Sequence, residues 1–252
     1  MEITTILGML LGLGAIVVGQ VLEGGHVEAL LQPTAALIVL GGTFGATLAS
    51  FSLPVVLKAV KDAIHAFLPP KNDPVQTIKE IIAWTVKARQ NGLISLEQET
   101  SKISDSFTLK GLNLIVDGTE PQTFRDTMET ELATYEEHNK TSAEFFEAAG
   151  GFAPTIGIIG AVLGLIHVMS NLSDASKLGE GIAVAFVATI YGLVTANIIC
   201  IPIATKLKNQ NKELVKTKTI ILEGLYFLQA GENPRLIEEK LKSFLPESHR
   251  EK

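Results

Sequence analysis

The chain has 252 residues, of which 46% are hydrophobic and 19% are charged, and its mean hydropathy is +0.31. This balance is too apolar for an ordinary soluble domain and too charged for a protein that lies wholly in lipid, so we expect membrane and aqueous parts. The net charge of −6 argues against a nucleic-acid partner, and the single cysteine, Cys200, excludes a disulfide framework within the chain and a cysteine-based metal site.

The first two apolar runs extend from Ile3 to Leu22 and from Thr34 to Leu53. Each has roughly the 20 apolar residues that a helix needs to cross a bilayer, and we call them spans 1 and 2. Glu2 precedes span 1, where a signal peptide would carry positive charge, so we interpret span 1 as a retained helix. Residues 1–53 therefore predict two transmembrane helices joined by a short connector.

Residues 54–149 are polar enough for an aqueous domain and carry the signals of several helices. Asp73, followed by proline, predicts a helix start, and that helix is predicted to end at Gly92. Ser95, with glutamine three residues later, predicts a capping box for a short helix. From Pro121 a long polar helix is predicted to run without a break into the next apolar run.

Two further apolar runs, Gly151 to Leu172 and Gly181 to Thr205, are the stretch around which the chain is organised; we call them spans 3 and 4. Neither contains Asp, Glu, Lys or Arg, and a polar hairpin, Ser173 to Glu180, separates them. They predict an antiparallel transmembrane pair within residues 150–206, followed by a helical tail, residues 207–252. Within the tail, Asn233 followed by proline predicts the start of a capped helix.

Small residues recur at four-residue spacing along this pair, which lets helix backbones approach closely in lipid. We therefore expect both spans to pack against other helices. The stripes are Ala153, Gly157 and Ala161, with Gly160 and Gly164, on span 3, and Gly181, Ala185 and Thr189, with Ala188, Gly192 and Ala196, on span 4.

The distribution of basic residues indicates the topology. The connector Glu23 to Gln32 has no Lys or Arg, and all but Lys177 of the 21 Lys and Arg residues lie between Lys58 and Lys140 or from Lys206 onward. The positive-inside rule places both termini and residues 54–149 in the cytoplasm and the connector in the periplasm. The predicted fold class is an all-α integral membrane protein with four transmembrane helices, a helical cytoplasmic domain between spans 2 and 3, and a helical C-terminal tail.

Four polar side chains of the pair are candidates for lining a narrow polar path: Thr155, Thr189, Thr195 and Asn197. Such side chains more often hydrogen-bond their own helix or a neighbouring one, and this is the interpretation that we favour. For His167, near the outer end of span 3, we expect an interfacial role. Because neither span contains a carboxylate, a proton carrier of that kind must come from another chain.

Two prolines, Pro154 near the start of span 3 and Pro202 near the end of span 4, fall at the same predicted membrane face. Each can kink its helix and free a backbone carbonyl, and paired kinks at one depth would suit a hinge. The alternative is that prolines are simply frequent in membrane helices. No phosphate-binding loop, metal-ligand spacing or nucleophile with its base is present, so neither an enzyme nor a cofactor is expected.

Three stretches of these spans resemble a known family: A-P-T-I-G-I-I-G-A-V-L-G-L from Ala153, A-F-V-A-T-I-Y-G from Ala185, and I-P-I-A from Ile201. The resemblance is to the A-subunit of the bacterial flagellar motor stator (MotA or PomA), within the wider MotA/TolQ/ExbB proton-channel group. It covers nearly the whole chain.

The resemblance implies a homo-oligomeric ring, thought to have five A-subunits, around two B-subunits in the bacterial cytoplasmic membrane. Each B-subunit supplies one span with an ion-carrying aspartate and a peptidoglycan-binding domain. Ion flow would turn the ring against the rotor switch protein and so drive motility. Membrane lipid is the remaining expected partner.

The resemblance also implies roles for single residues. Pro154 and Pro202 match the family's prolines that couple ion passage to conformational change, and Arg89 and Glu97 match the charged pair that meets the rotor. From composition alone, Arg89 and Glu97 would be two solvated surface charges.

We assign Ala161, Thr189 and Thr155 to the candidate ion path and its selectivity. Helix rise places Ala161 and Thr189 at similar depth, where both could face the partner's aspartate. Sodium-driven members of the family carry threonine at the position of Ala161, and its hydroxyl could replace part of sodium's oxygen shell. Ala161 offers no oxygen, so we expect a proton-driven stator.

Two alternatives stay open. A TolQ- or ExbB-like energy transducer is the nearer one, but those proteins usually have three spans with the N-terminus outside, whereas this chain has two spans before its cytoplasmic domain. A non-conducting membrane scaffold that holds a partner helix is the other, since small-residue stripes would suffice for it.

Overall fold

The computed structural model describes residues 3–170 and 175–250. The predicted hairpin between spans 3 and 4 therefore lies partly outside the described residues. The chain forms two compact units, which we call the membrane unit, residues 1–70 and 140–209, and the aqueous unit, residues 71–139 and 210–252.

The regular secondary structure of the described residues is helical throughout. The α-helices, in chain order, are Ile3–Leu22, Pro33–Ala36, Gly42–Ser50, Leu53–Asp62, Pro74–Asn91, Glu97–Thr100, Ser106–Val116, Pro121–Ser170, Ala175–Val194, Ile201–Gln229, Pro234–Lys242 and Glu247–Arg250. The 3-10 turns are Val27–Leu30, Ala63–Ala66 and Leu93–Leu96, and π-helical segments cover Leu37–Gly41 and Thr195–Cys200. Among the described residues, four helical stretches are long and apolar enough to cross a membrane, so the predicted four-span, all-α fold is confirmed.

Span 2 ends at Ser50, three residues earlier than predicted. Phe51 and Ser52 have extended backbones, with ψ angles of 149° and 150°, and a new helix begins at Leu53. Pro54 explains the break, because it has no N–H to bond the carbonyl of Ser50 and continue the helix.

The helix that follows span 2, Leu53–Asp62, packs onto the long helix Pro121–Ser170. Val56 and Ala59 are buried against Phe145, and the next turn buries Ala66 in a cluster with Ala143. These contacts group residues 54–70 and 140–149 with the membrane unit, whereas the sequence prediction assigned all of residues 54–149 to one cytoplasmic domain.

The aqueous unit has its own apolar core. Its largest fully buried side chains are Ile81, Leu96, Leu112, Ile115, Phe124, Met128, Ile220, Leu225, Ile237 and Leu241. The predicted caps are present: Asp73 accepts a hydrogen bond from the Gln76 N–H at 3.0 Å, and Asn233 caps helix Pro234–Lys242 in the same way. Burial of these residues, together with the caps, fixes the helices of this unit.

The aqueous unit also contains a buried lysine, which pairs with an aspartate. Lys218 is only 7% exposed; its ammonium donates to Asp105 Oδ1 at 3.0 Å and lies 4.8 Å from the centre of the Phe107 ring. Asp105 also caps helix Ser106–Val116 by accepting from Thr108 N–H at 2.9 Å. Burial raises the pKa of Asp105, but hydrogen bonds from Thr108 and Lys218 lower it by more than burial raises it. The net pKa of this carboxyl group is therefore below its ordinary value, and the group stays ionised to lower pH.

Candidate functional site: the helix pair of spans 3 and 4

Spans 3 and 4 touch backbone to backbone along the predicted small-residue stripes. A Cβ added at Gly192 would lie 2.5 Å from the carbonyl oxygen of Ala153 and 3.2 Å from Gly157 Cα. One turn outward, a Cβ at Gly160 would lie 2.7 Å from Ala188 Cβ. Only residues without a side chain permit this approach, so the stripes are the contact surface of the pair.

The contacts fix the register of the two antiparallel spans. Gly160 meets Ala188, and Gly157 meets Gly192. Ala161 is therefore opposite Val187 or Ala188, one to two residues, or about 1.5–3 Å of rise, from the level of Thr189, which is close to the similar depth that the sequence predicted. Both side chains are half-buried, and their role on an ion path stays a prediction.

The polar side chains of the pair bond to their own helix backbones. Thr155 Oγ1 donates to the Phe152 carbonyl at 2.8 Å, and Thr189 Oγ1 donates to the Ala185 carbonyl at 3.3 Å. Asn197 does the same toward Leu193 at 3.0 Å. These three residues therefore bond to their own helices, as the sequence analysis favoured. Each threonine hydroxyl still keeps lone pairs that can accept a hydrogen bond.

A tyrosine that the sequence analysis did not single out ties span 4 to the connector before span 2. Tyr191 Oη donates to the carbonyl of Leu30 at 2.5 Å and accepts from the Gln32 N–H at 3.3 Å. Just beyond, Ala35 and Val39 are buried against span 4. A phenol in the middle of an apolar run was the available signal, because buried tyrosine hydroxyls usually find a partner.

The two prolines lie toward the same end of the pair but not at one level. Gly150 on span 3 packs beside Cys200 and Ile201 of span 4. Because the spans are antiparallel, Pro154 lies about four residues from this contact toward the outer face, and Pro202 lies about one residue from it toward the inner face. At 1.5 Å of rise per residue they are about 8 Å apart along the pair. This corrects the prediction of paired kinks at one depth.

The backbone around the prolines also differs. Pro154 lies inside the continuous helix Pro121–Ser170, whereas Pro202 lies two positions after the end of the π-helical segment Thr195–Cys200. Each proline removes the N–H that would bond the carbonyl four residues earlier. A π segment is itself a common feature of functional helix sites, so span 4 combines two departures from regular α-helix.

In the aqueous unit, Arg89 and Glu97 are exposed on either side of a tight turn. Arg89 is in the last turn of helix Pro74–Asn91, Gly92 has a φ of +80°, and Glu97 opens the next short helix. Within the described residues, neither side chain takes part in an ion pair.

The turn is held in shape by other residues. Leu96 is fully buried, and Glu99 bridges Lys87 at 2.7 Å and Lys102 at 3.0 Å. Hydrogen bonds from Lys87 and then Lys102 hold the pKa of Glu99 below its ordinary range. The predicted capping box is wrong, because the Ser95 hydroxyl donates back to the Gly92 carbonyl at 2.6 Å. Arg89 and Glu97 are thus presented on a fixed turn, with no ion-pair partner in the part of the chain that the structure describes.

Sequence comparisons match both halves of the chain to described families. Residues 6–92 match the family "Motility protein A N-terminal", and residues 99–219 match the "MotA/TolQ/ExbB proton channel family". Motility protein A of Bacillus subtilis is 36% identical over 99% of this chain and 93% of its own length. The chain belongs to the Motility protein A family. The chemotaxis protein PomA of Vibrio alginolyticus is also similar, at 32% identity over 99% of this chain and 98% of its own length.

Solved structures of the family have the same fold. A chain of the C. jejuni MotAB structure superposes with a TM-score of 0.93 at 33% identity, covering 98% of this chain and 97% of that one. A chain of the flagellar MotAB stator complex from B. subtilis gives a TM-score of 0.91 at 35% identity, covering 98% of both. The protein is therefore a MotA-type stator A-subunit with four membrane-spanning helices.

Proposed function

We propose that this A-subunit assembles with a B-subunit into an ion-conducting stator whose ion flow turns a ring of A-subunits, thought to be five, against the flagellar rotor. The observation that carries the proposal is the helix pair itself. Spans 3 and 4 pack through glycines and contain no Asp, Glu, Lys or Arg, and each carries a threonine whose oxygen can still accept a hydrogen bond. Such a helix pair can line an ion path, but it lacks the carboxylate that would carry a proton.

The B-subunit is the proposed source of that carboxylate. The relatives of known structure are MotAB complexes, which supports a partner of this kind. In the proposal the partner contributes one span with an aspartate at the level of Ala161 and Thr189, and a peptidoglycan-binding domain that holds it still. The A-subunit has no enzymatic step in this scheme, and both of its termini lie in the cytoplasm.

Protons are the proposed coupling ion. The position of Ala161 provides no oxygen for a sodium shell, and the Thr189 hydroxyl proton is directed to the Ala185 carbonyl. The threonine oxygens of the pair are too few to replace the several oxygens that a hard cation needs. A proton needs only the acceptor carboxylate and a hydrogen-bonded route.

The rotor contact is proposed at Arg89 and Glu97. Their exposure on a turn fixed by Leu96 and Glu99 supports this, because charges without internal partners can act at a distance on an approaching surface. The neighbouring Ile94 is 72% exposed and would add an apolar contact between the two charges.

The test is motor speed in cells that depend on this subunit, measured against external sodium at fixed pH and against a protonophore at fixed sodium. Speed that falls with the protonophore and ignores sodium supports the proton assignment. Speed that tracks sodium would falsify it. Proton flux in vesicles that contain the A-subunit alone would overturn the proposed need for a partner carboxylate.

A TolQ- or ExbB-like energy transducer is the second candidate. The match of residues 6–92 to the Motility protein A N-terminal family, with two spans before the aqueous unit, favours the flagellar function over it. A non-conducting scaffold would leave an imposed pH gradient intact even with the B-subunit present, so vesicles that contain both subunits separate that alternative.

A further inference from the structure

The short helix after span 2 carries a row of exposed apolar side chains. Four apolar residues of helix Leu53–Asp62 and the 3-10 turn after it are exposed by 57% to 66%: Leu53, Leu57, Val60 and Ile64. They recur every three or four positions, which puts them on one side of the helix. We call these four residues the exposed stripe. A contiguous apolar row of this kind marks a surface that binds something apolar.

The contacts of this helix show that it crosses the long helix Pro121–Ser170 rather than running along it. Val56 is buried against Phe145, and Ala66, ten residues after Val56, is buried with Ala143. Ten residues cover about 15 Å of helix, whereas Phe145 and Ala143 are only about 3 Å apart along theirs. The long helix continues into span 3, which crosses the membrane at the usual tilt of about 20° or less from the normal. The short helix therefore lies close to the membrane plane.

Both ends of the short helix are at the membrane boundary. Span 2 ends at Ser50, three residues before the short helix begins. At the other end, Ala66 is buried in a cluster with Ile203, which is two residues before the end of the apolar run of span 4. Between these ends, Phe145 is about 9 Å of rise before the start of span 3 at Gly151. Because a helix is about 10 Å wide with its side chains, the membrane-facing side of this one comes within about 4 Å of the apolar layer.

The polar side of the helix shows which way the exposed stripe faces. Asp62 accepts hydrogen bonds from Lys58 Nζ at 2.6 Å and from Ser142 Oγ at 2.7 Å. Ser142 is three residues further from span 3 than Phe145, so this polar side is the one away from the membrane. At about 100° per residue, the exposed stripe is roughly opposite Asp62. The stripe therefore faces the bilayer.

We propose that the exposed stripe is seated in lipid, at the boundary between headgroups and acyl chains, and that the short helix is a membrane-surface anchor of the A-subunit. An amphipathic helix in the membrane plane buries its apolar side about 5–10 Å into this boundary, which is more than the remaining distance of about 4 Å. Lys61 is exposed beside the stripe, where its ammonium can reach lipid phosphates. The leaflet is the inner one in the proposed topology. The inference requires the four-span fold but neither ion flow nor the rotor contact.

A second copy of the chain is the other candidate for covering the exposed stripe. The spans of a second copy must also cross the bilayer, so it lies beside this chain in the membrane plane. The stripe instead faces along the membrane normal, toward the acyl chains, and is turned away from a neighbour at its side. Lipid is the occupant that this direction selects.

The test measures the surroundings of spin labels on the stripe, in the full-length chain reconstituted into lipid vesicles in its native assembly. Labels are attached to Leu57→Cys and Ile64→Cys, and the wild-type chain reports any label on the buried Cys200. Relaxation of each label by oxygen, which concentrates in lipid, is compared with relaxation by a water-soluble nickel chelate. We expect oxygen to be severalfold more effective than the chelate at both positions. Leu11→Cys, at a 71% exposed position of span 1, should give the same pattern.

Two control positions report water. His65→Cys places the label next to Ile64 but on the polar side of the helix, where His65 Nδ1 is 3.7 Å from Asp62 Oδ1. Ile94→Cys labels an apolar residue of the aqueous unit that is 72% exposed. The chelate should be the more effective reagent at both. If a stripe variant does not assemble, Val60→Cys replaces it.

Two results would overturn the proposal. Stripe labels that favour the chelate, as the label at Ile94 should, would show that the stripe faces water. Stripe labels from which both reagents are excluded would show that protein covers the stripe, and spin–spin broadening between them would identify that protein as a second copy of the chain.

Discussion

The closest contact in the candidate site predicts a large effect for a single added methyl group. In Gly192→Ala the new Cβ would lie 2.5 Å from the Ala153 carbonyl oxygen and 3.2 Å from Gly157 Cα, whereas ordinary contacts begin at 3.4 Å. Both obstacles are backbone atoms of span 3, so no side-chain rotation relieves them. The two spans must move apart by a large part of the missing 0.9 Å.

The expected cost follows from this geometry. Overpacking of a well-packed contact costs about 1–3 kcal/mol, and the absence of a flexible neighbour puts Gly192→Ala toward the upper part of that range. Separation of the spans also weakens the neighbouring contact of Gly160 with Ala188, because both lie on the same interface. A loss of about 1.4 kcal/mol already changes the equilibrium between native and unfolded chain tenfold.

The assay is thermal and denaturant unfolding of the purified protein, followed by circular dichroism in one detergent. Gly45→Ala is the control, since it adds the same methyl group to span 2 at a position with no atom within 4 Å. Gly192→Ala should lower the unfolding midpoint clearly, and Gly45→Ala should leave it within error. Equal midpoints for both variants would refute the backbone contact between spans 3 and 4.

Four further predictions test other parts of the chain. Tyr191→Phe leaves two connector backbone groups without their partner and should cost about 1–3 kcal/mol, with faster amide exchange at the connector. Folding lowers the pKa of Asp105, so the ionised carboxylate stabilises the fold fully above its ordinary pKa of 3.8, and this stabilisation is lost as the pH falls through the lowered folded-state pKa. The stability of Asp105→Asn should therefore depend less on pH between these two pKa values, measured by acid unfolding. Pro154→Ala or Pro202→Ala regains a helix N–H and should assemble normally with reduced motility; failed assembly would make the prolines structural. Arg89→Glu should weaken rotor binding in a purified binding assay, less so at high ionic strength, and unchanged binding would leave only a solvated charge.

The membrane part of the fold was predictable because lipid imposes simple rules. Four runs of about 20 apolar residues can only be helices, and glycines spaced by four residues indicate the faces that touch. The caps at Asp73 and Asn233 were also predicted, since each cap depends on a few adjacent residues. Local pattern and solvent, not long-range contacts, decide these features.

Features set by contacts between distant residues were not predictable from the sequence. The Tyr191 hydroxyl meets Leu30 and Gln32 across about 160 positions, and nothing near Tyr191 in sequence indicates that partner. The offset of the prolines depends on the register between the two spans, and the same two sequences are compatible with registers that differ by a few residues. The capping box predicted at Ser95 is wrong for a local reason. Because Gly92 has a positive φ, the Ser95 hydroxyl reaches the Gly92 carbonyl rather than a backbone N–H.

The hydrogen bonds of the candidate site bear directly on what this chain can supply to an ion. Thr155 and Thr189 both give their hydroxyl protons to carbonyls of their own helices, so toward anything else they present only acceptor lone pairs. Ala161, at the level of Thr189, presents neither. A wall of this kind can orient a protonated carboxyl group by accepting its hydrogen bond, but it cannot itself exchange a proton at ordinary pH. The π segment and Pro202 depart from regular α-helical bonding about 9 to 20 Å further along span 4, so a bend of the helix there would move its cytoplasmic continuation without changing the wall beside Thr189.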